Sequence, residues 1–307
     1  MQTRIQVKKL ATFTGHVDSV YALALAGGDS FYSAGSDGML VQWNKHQPEK
    51  GYLFARLSGT VYALYHLLEE QALFVGQNYQ GIYRIQTDAR RVVASSAIPH
   101  AAIFDIGYFH AILFVATSSG ELIAFSADKL QTTYKWQLSQ KSLRCIALHP
   151  SLLHMAIGSS DHQIYILELP SMQPVATLCG HTNSVFSLTY SPCGKYLLSG
   201  SRDAHLRIWQ VHKHYALAES IVAHMYTINH IAYSPSGKWF ITCSKDKSIK
   251  LWEASTFTLR KVIDRARHAG HGTSVNKLLW LNDCQFISAS DDRTLSLWEF
   301  EELSTRE

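Results

Sequence analysis

The chain has 307 residues, of which 47% are hydrophobic, 11% aromatic and 17% charged, a composition that excludes disordered, collagen-like and membrane-spanning classes. A net charge of +4 with no basic run and no aromatic RNA-reading motif argues against a nucleic-acid partner. Residues 1–10 carry Arg4, Lys8 and Lys9 instead of a signal-peptide core, and no apolar run is long enough to span a bilayer, so a soluble cytoplasmic protein with no membrane partner is expected.

The five cysteines (Cys145, Cys179, Cys193, Cys243 and Cys284) are scattered, with no pair at metal or redox spacing, which fits a reducing compartment. Sixteen histidines invite a metal reading, but the adjacent His212 and His214 fall in a turn beside Lys213. Neither metal nor cofactor is expected.

In chain order, residues 5–13 form an extended segment with Ile5, Val7 and Leu10 available for burial. A first unit opens at Gly15-His16 and closes on SDGMLVQW at 36–43; the polar turn NKHQPEKG leads to a strand at 52–57. VYAL at 61–64 repeats VYAL at 20–23, with GQNYQG at 76–81 as a turn. Strands follow at 103–108, 111–117 and 122–125, then at 143–148, 155–159 and 164–167. Pro170 and Pro174 sit about an outer strand, where a missing N–H is tolerable.

The cleanest unit is GHTNSVFSLTYSPCGKYLLSGSRDAHLRIW at 180–209. Period-two alternation broken by short turn clusters makes it three consecutive antiparallel strands. Its turn SPCGK at 191–195 returns as SPSGK at 234–238. From Trp252 to His271 the spacing is 19 residues, against 15 from Trp209 to His224. The surplus lies in IDRARHAG, read either as a solvated loop or as a basic finger carrying Arg265, Arg267 and His268. A third strand at 295–300 precedes the charged tail 301–307, which is expected to fray.

Aligned on their closing residues, seven units end at Trp43, Ile85, Phe125, Leu167, Trp209, Trp252 and Trp298, spaced by 42, 40, 42, 42, 43 and 46 residues. Such a period, with four strands per unit, is that of a radial propeller blade. The repeat count overrides the length-based prior of about two domains and makes residues 1–307 one domain. Four copies carry GHVDSV, GHTNSV, AHMYTI or GHGTSV followed by SDGMLVQW, SRDAHLRIW, SKDKSIKLW or SDDRTLSLW. In these the chain resembles the WD-repeat family over essentially its whole length. The resemblance implies an all-β fold, a seven-bladed β-propeller of four-stranded antiparallel blades. Since the last unit lacks a fourth strand, residues 1–14 are expected to supply it, leaving no sheet edge open at the seam.

The resemblance also implies a hydrogen-bonded tetrad in each well-formed blade. The matching residues are His16, Ser33, Asp37 and Trp43; His181, Ser199, Asp203 and Trp209; His224, Thr242, Asp246 and Trp252; and His271, Ser288, Asp292 and Trp298. An indole N–H can donate to a hydroxyl, the hydroxyl to one imidazole nitrogen, and the other imidazole N–H to a carboxylate. Blades two to four depart from the pattern together. Where Trp becomes Ile85, Phe125 or Leu167, the hydroxyl position is Val75, Val115 or Ile157 and the His position Leu57, Pro99 or Ser139. A half-kept polar network would be worse than none. Asp161 survives alone and is expected in a solvated turn; His100, one place out of register, reads as a loop residue.

Ser, His and Asp together could suggest a hydrolase triad. A nucleophile is needed once, however, and this trio recurs four times in register, so no catalytic residue is assigned. The expected function is a non-catalytic scaffold or adaptor for proteins or peptides, monomeric on its own, with a substrate-recognition subunit of a larger enzyme complex as an alternative. A further alternative makes the degenerate side, blades two to four, an interface with another chain. In the family, the residue after the first-strand Val and those flanking the turn Asp ring the channel mouth. Carried over, the first set is Tyr21, Tyr62, Phe104, Arg144, Phe186, Asn229 and Asn276. The second includes Arg202, Lys245, Lys247 and Arg293, with Asp291 as an acidic exception. An aromatic arc beside a mostly basic one suits a partner offering an apolar anchor with a carboxylate or phosphate.

Overall fold

The computed structural model describes residues 4–303. They form seven four-stranded antiparallel sheets, arranged as the blades of a seven-bladed β-propeller. Blade one consists of Val20–Gly27, Ser30–Gly35, Met39–Asn44 and Tyr52–Arg56, from the channel outward. Five further blades repeat this order along the chain. The seventh takes Val275–Trp280, Gln285–Ser290 and Thr294–Leu303 from the end of the chain and its outermost strand, Arg4–Thr14, from the beginning.

Burial follows position within the blade. The second strands are buried along almost their whole length, as in Ala72–Gln77 and Trp239–Ser244, whereas outer strands such as Thr132–Gln137 are largely exposed. A strand covered on both faces needs apolar residues at nearly every position, which explains LFV at 73–75 and WFIT at 239–242. The buried residues fall into seven clusters, and each joins two neighbouring blades around the ring. One links Phe74 of blade two to Ile103 and Val115 of blade three, and another links Leu198 of blade five to Ile228 and Phe240 of blade six.

Close approach between blades is set by glycine in the second strand. A Cβ on Gly200 would lie 2.6 Å from Ile228 Cγ2, and one on Gly158 would lie 2.6 Å from Cys145 Sγ and 2.9 Å from Val185 Cγ1. Hydrogen at these positions lets the β-branched first-strand residue of the next blade seat against the backbone.

The N-terminal strand stitches the seam. It pairs in antiparallel register with the last strand from Arg4↔Leu303 to Thr14↔Thr294. Ile5 enters the cluster between blades six and seven, while Phe13, fully buried, enters the one between seven and one. The Phe13 ring meets Phe31 and Trp43 edge-on at 5.2 and 5.5 Å.

Two expectations need correction. The tail does not fray at 301, because Glu301, Glu302 and Leu303 continue the last strand opposite Gln6, Ile5 and Arg4; residues 304–307 lie outside the described residues. The surplus at 263–270 is not a loop or finger but a single helical turn, Arg265–His268. Asp264 caps it by accepting the Arg267 amide at 2.9 Å and pairs with the Arg267 guanidinium at 2.6 Å. Lys9 donates to the Ala269 carbonyl, which holds the turn against the N-terminal strand. His100 is exposed between blades, as expected of a loop residue.

Because Phe13 belongs to one blade by pairing and to another by packing, its removal should loosen ring closure. Phe13→Ala should cost about 3–5 kcal/mol, and deletion of residues 1–12 should abolish cooperative unfolding; calorimetry of the two variants checks both. A truncated chain melting near the intact temperature would show that closure does not need this strand.

Candidate functional site

Two polar constellations recur around the ring: the tetrads within the blades, and the ring of first-strand residues facing the channel. In blade five, Trp209 Nε1 donates to Ser199 Oγ at 2.9 Å, Ser199 Oγ lies 2.8 Å from His181 Nε2, and His181 Nδ1 lies 2.9 Å from Asp203 Oδ2. The other three tetrads match it within 0.2 Å: Trp43–Ser33–His16–Asp37, Trp252–Thr242–His224–Asp246 and Trp298–Ser288–His271–Asp292. The hydroxyl accepts from indole and so donates to Nε2, which leaves Nδ1–H to donate to the carboxylate. The chain of donors assigns one tautomer to every ring.

The carboxylates also fasten the turns. Asp203 accepts the amides of Thr182 and His205, each at 2.9 Å, and Asp246 those of Met225 and Ser248, each at 3.0 Å. Burial works to raise the Asp203, Asp246 and Asp292 carboxyls, but the histidine and the hydrogen bonds outweigh it and hold all three well below the usual carboxylate range. Burial lowers His181 and His224 despite their aspartates, so the pairs are a neutral imidazole on an anionic carboxylate.

Blade four corrects the expectation that Asp161 sits alone in a solvated turn. Asp161 is half-buried; its Oδ2 accepts from Ser139 Oγ and, at 2.7 Å, from the Tyr165 hydroxyl, and its Oδ1 accepts the Gln163 amide at 3.0 Å. Burial and Asp161 together push the Tyr165 phenol up to about 12. The turn-fastening aspartate is therefore kept with a serine in the histidine's place, and a tyrosine enters from the third strand. In blade two the amide of Gln77, at the end of the second strand, and the Ser58 hydroxyl share a hydrogen bond of 2.8 Å.

The channel ring is placed by a device repeated in every blade. Each first strand carries a bulge after its opening residue, at Val20/Ala22, Val61/Ala63, Ile103/Asp105, Leu143/Cys145, Val185/Ser187, Ile228/His230 and Val275/Lys277. A bulge re-aims the extra residue away from the ladder. Those extra residues are Tyr21, Tyr62, Phe104, Arg144, Phe186, Asn229 and Asn276, and all seven line one cavity of about 390 Å³ at the channel mouth.

Around half of the mouth these side chains form a continuous row, with neighbouring rings tilted to one another. Tyr21 and Tyr62 lie 4.7 Å apart between ring centroids, and Tyr62 and Phe104 lie 5.6 Å apart. The Arg144 guanidinium is inserted 4.2 Å from the Phe104 ring and 5.0 Å from that of Phe186, with its Nε–H donating to Ser160 Oγ at 2.8 Å. Such cation–π contacts are worth about 0.5–2 kcal/mol each. The other half is amide: Asn229 donates to the Val275 carbonyl and Ser274 Oγ, and Asn276 to the Val20 carbonyl and Asp291. Each asparagine thereby latches its blade to the next.

The basic residues separate into two settings. Arg144 is held between rings, and Arg202, Lys245, Lys247 and Arg293 do not line the cavity; they stand exposed on the turns beside the tetrad aspartates, surrounding the mouth. The sequence reading missed the layer beneath: Asp105, Ser187, His230 and Lys277 also line the cavity. The available signal was their position, one place beyond the bulged residue. No cluster among the described residues has the composition to hold a metal ion, and no helix among them is long and apolar enough to cross a membrane.

Seven such blades, four of them carrying tetrads, define a WD-type propeller. Residues 7–44, 172–210, 217–253 and 264–299 match the family model described as WD domain, G-beta repeat, and the chain belongs to the WD-repeat family. The matched stretches are those around the four tetrads. Among relatives, striatin-3 of Bos taurus is 22% identical over 72% of this chain and 31% of its own length. The striatin homolog of Dictyostelium discoideum is 24% identical over 67% and 30%, and a WD40 repeat-containing protein of the same organism is 35% identical over 36% and 15%. The chain thus spans about a third or less of the length of these relatives. The solved WD40 β-propeller domain of Doa1 superposes with a TM-score of 0.84 at 15% identity, covering 98% of each chain.

The tetrads set a pH dependence. Asp37, Asp203, Asp246 and Asp292 have folded-state pKa values below the unfolded value, so their contribution is complete above about pH 4 and is lost as pH falls further. His181 and His224, also lowered, bind protons more readily when unfolded, so acid begins to destabilise near pH 6.5. Melting temperature should therefore decline from about pH 6.5 and more steeply below about pH 4. Trp209→Phe should cost about 1 kcal/mol, and Asp203→Ala about 3, since it strands several donors; denaturant titrations of both variants check the order.

Proposed function

We propose that the protein is a non-catalytic interaction scaffold that receives a peptide or loop of a partner protein at the channel mouth. The observation carrying this reading is the Tyr21–Tyr62–Phe104–Arg144–Phe186 row, half-exposed at the mouth of a preformed cavity. Aromatic and arginine side chains dominate binding hot spots because they offer large area for few rotatable bonds. The surrounding loops add exposed apolar side chains: Val17, Tyr79, Met225 and Tyr226 are 66, 60, 81 and 60% exposed. Side chains of this type gathered on one rim mark a surface that gains by being covered.

The preferred partner is acidic or phosphorylated. Burial lowers the Arg144 pKa and Arg202 adds to that effect, so an anion at the mouth relieves both cations. Arg202, Lys245, Lys247 and Arg293 would steer it. A hydrolase reading finds no support in the geometry. Ser33, Ser199, Thr242 and Ser288 are fully buried, each already engaged by an indole and an imidazole, so no substrate carbonyl reaches them. A cytoplasmic location is part of the proposal, in keeping with five free cysteines; so is the monomeric state.

Quantitative affinity purification with mass spectrometry tests the face. The Arg202→Glu/Lys245→Glu double variant and Tyr62→Ala should each lose the partners recovered by the wild type while melting as the wild type does. Undiminished recovery by both folded variants would overturn the assignment.

A further inference from the structure

Next to the lip residues stands a second ring, contributed by the residue following each bulge. Its polar members fall into two groups according to whether their hydrogen bonds are already spent. Asp105 is engaged on both oxygens: Oδ1 takes the Ile106 amide at 3.0 Å and Oδ2 the Ile146 amide of the next blade at 2.8 Å. Ser187 Oγ likewise accepts the Ile231 amide of the next blade at 2.9 Å, which leaves its hydroxyl hydrogen free to donate.

His230 uses only one of its nitrogens. Nδ1 lies 3.3 Å from the Leu278 amide and accepts from it, so in the neutral ring Nε2 must carry the proton and donate. Burial and the nearby Lys277 hold the ring neutral, well below the usual imidazole range. His230 lines the cavity, and among the described residues Nε2 has no hydrogen-bond partner yet is not sealed from solvent. Lys277 also lines the cavity; its Nζ makes no hydrogen bond or ion pair among the described residues, and its charge opposes the effect of burial on the Asp105 carboxyl.

The throat thus presents an ammonium, an imidazole N–H and a hydroxyl as unspent donors, while its carboxylate is latched to two backbone amides. A cavity of about 390 Å³ lies within the range of small-ligand sites. The rings of Tyr21, Tyr62, Phe104 and Phe186 line the same cavity.

We propose that this throat is a receptor for a carboxylate carried on a flat apolar body, with Lys277 and His230 Nε2–H holding the carboxylate and the lip rings covering the body. The carboxylate can belong to a free small acid or to an acidic side chain of a docked partner. The inference rests on the mouth being the working face, but its residues are separate from the outer cations that test that face. Ammonium ligands are disfavoured, since Lys277 repels them and already faces the Asp105 carboxyl, which also accepts two backbone N–H groups.

Benzoate, benzamide and benzylamine serve as probes, read by the imidazole nitrogen signals of histidine-labelled protein, with His230→Gln assigning the resonance. Benzoate should shift the His230 signals saturably at millimolar concentration; the neutral amide and the amine should not. Lys277→Met and Lys277→Gln, each checked by its melting temperature, should weaken benzoate at least about tenfold, the scale of a lost charged hydrogen bond. Arg202→Glu/Lys245→Glu should bind benzoate undiminished even where it loses protein partners, which separates failure of the throat from failure of the face. A short peptide with Glu beside Phe that competes with benzoate assigns the carboxylate to a partner; one that does not assigns it to a free acid. Silent His230 signals, equal binding of benzamide, or undiminished binding by both folded Lys277 variants would overturn the site.

Discussion

A sheet with apolar residues on both faces cannot stand alone in water, and this fixes nearly everything else about the molecule. Each second strand is buried on both sides, so each blade must be covered by two neighbours. A linear array would leave two blades half bare; a closed ring leaves none. The seven interblade clusters are the energetic content of closure, and the glycines at 158 and 200 bring the sheets close enough for it. The N-terminal strand follows from the same requirement, because it supplies Ile5 to one interface and Phe13 to another while pairing within a third element, the last strand.

Polar groups between blades serve the same closure in a different way. The tetrad places a carboxylate where two backbone amides of separate turns need an acceptor, then neutralises the approach with imidazole, hydroxyl and indole in sequence. Blade four shows which part is indispensable. There the indole and imidazole are gone, but Asp161 still accepts a backbone amide, with Ser139 and Tyr165 satisfying its other oxygen. The turn needs an acceptor; the remaining members make an acceptor tolerable next to apolar strands.

The difference between what could and could not be read from the residues has the same origin. His181, Ser199, Asp203 and Trp209 were legible because four chemically distinct groups recur in one register, and so was the strand at the seam, because the last repeat falls one strand short. Tyr165 as a substitute donor was not legible: it replaces its predecessors in space from a different place in the repeat. The helical turn at Arg265–His268 reads as a loop or a basic finger in the sequence because a four-residue element has no periodicity to show, and its stability comes from the Asp264 cap and the Lys9 contact. The lip residues were locatable by their place after the first-strand Val, but insertion of Arg144 between Phe104 and Phe186 depends on the spacing of three blades. Exposure around the mouth divided the cations in a way that charge counting could not, with one guanidinium stacked among rings and the others standing outside.

The bulge links architecture to use. A first strand without it would bring the lip residue back into the ladder, and the channel would be lined by a closed backbone surface with little chemistry. With it, each blade turns one side chain to the mouth and frees amides that the neighbouring blade's second-ring residue accepts, as Asp105 does for Ile146, Ser187 for Ile231 and His230 for Leu278. These acceptors are obligatory, since an unpaired amide in the throat would cost about 1–3 kcal/mol. The donors are not obligatory as hydrogen bonds: the Lys277 ammonium acts on the buried Asp105 carboxyl through its charge alone, and the second nitrogen of His230 has no hydrogen-bond partner among the described residues. Groups that a fold requires are distinguished from groups it merely carries by this test, and those it merely carries at the bottom of an aromatic-rimmed cavity are where recognition chemistry is free to act.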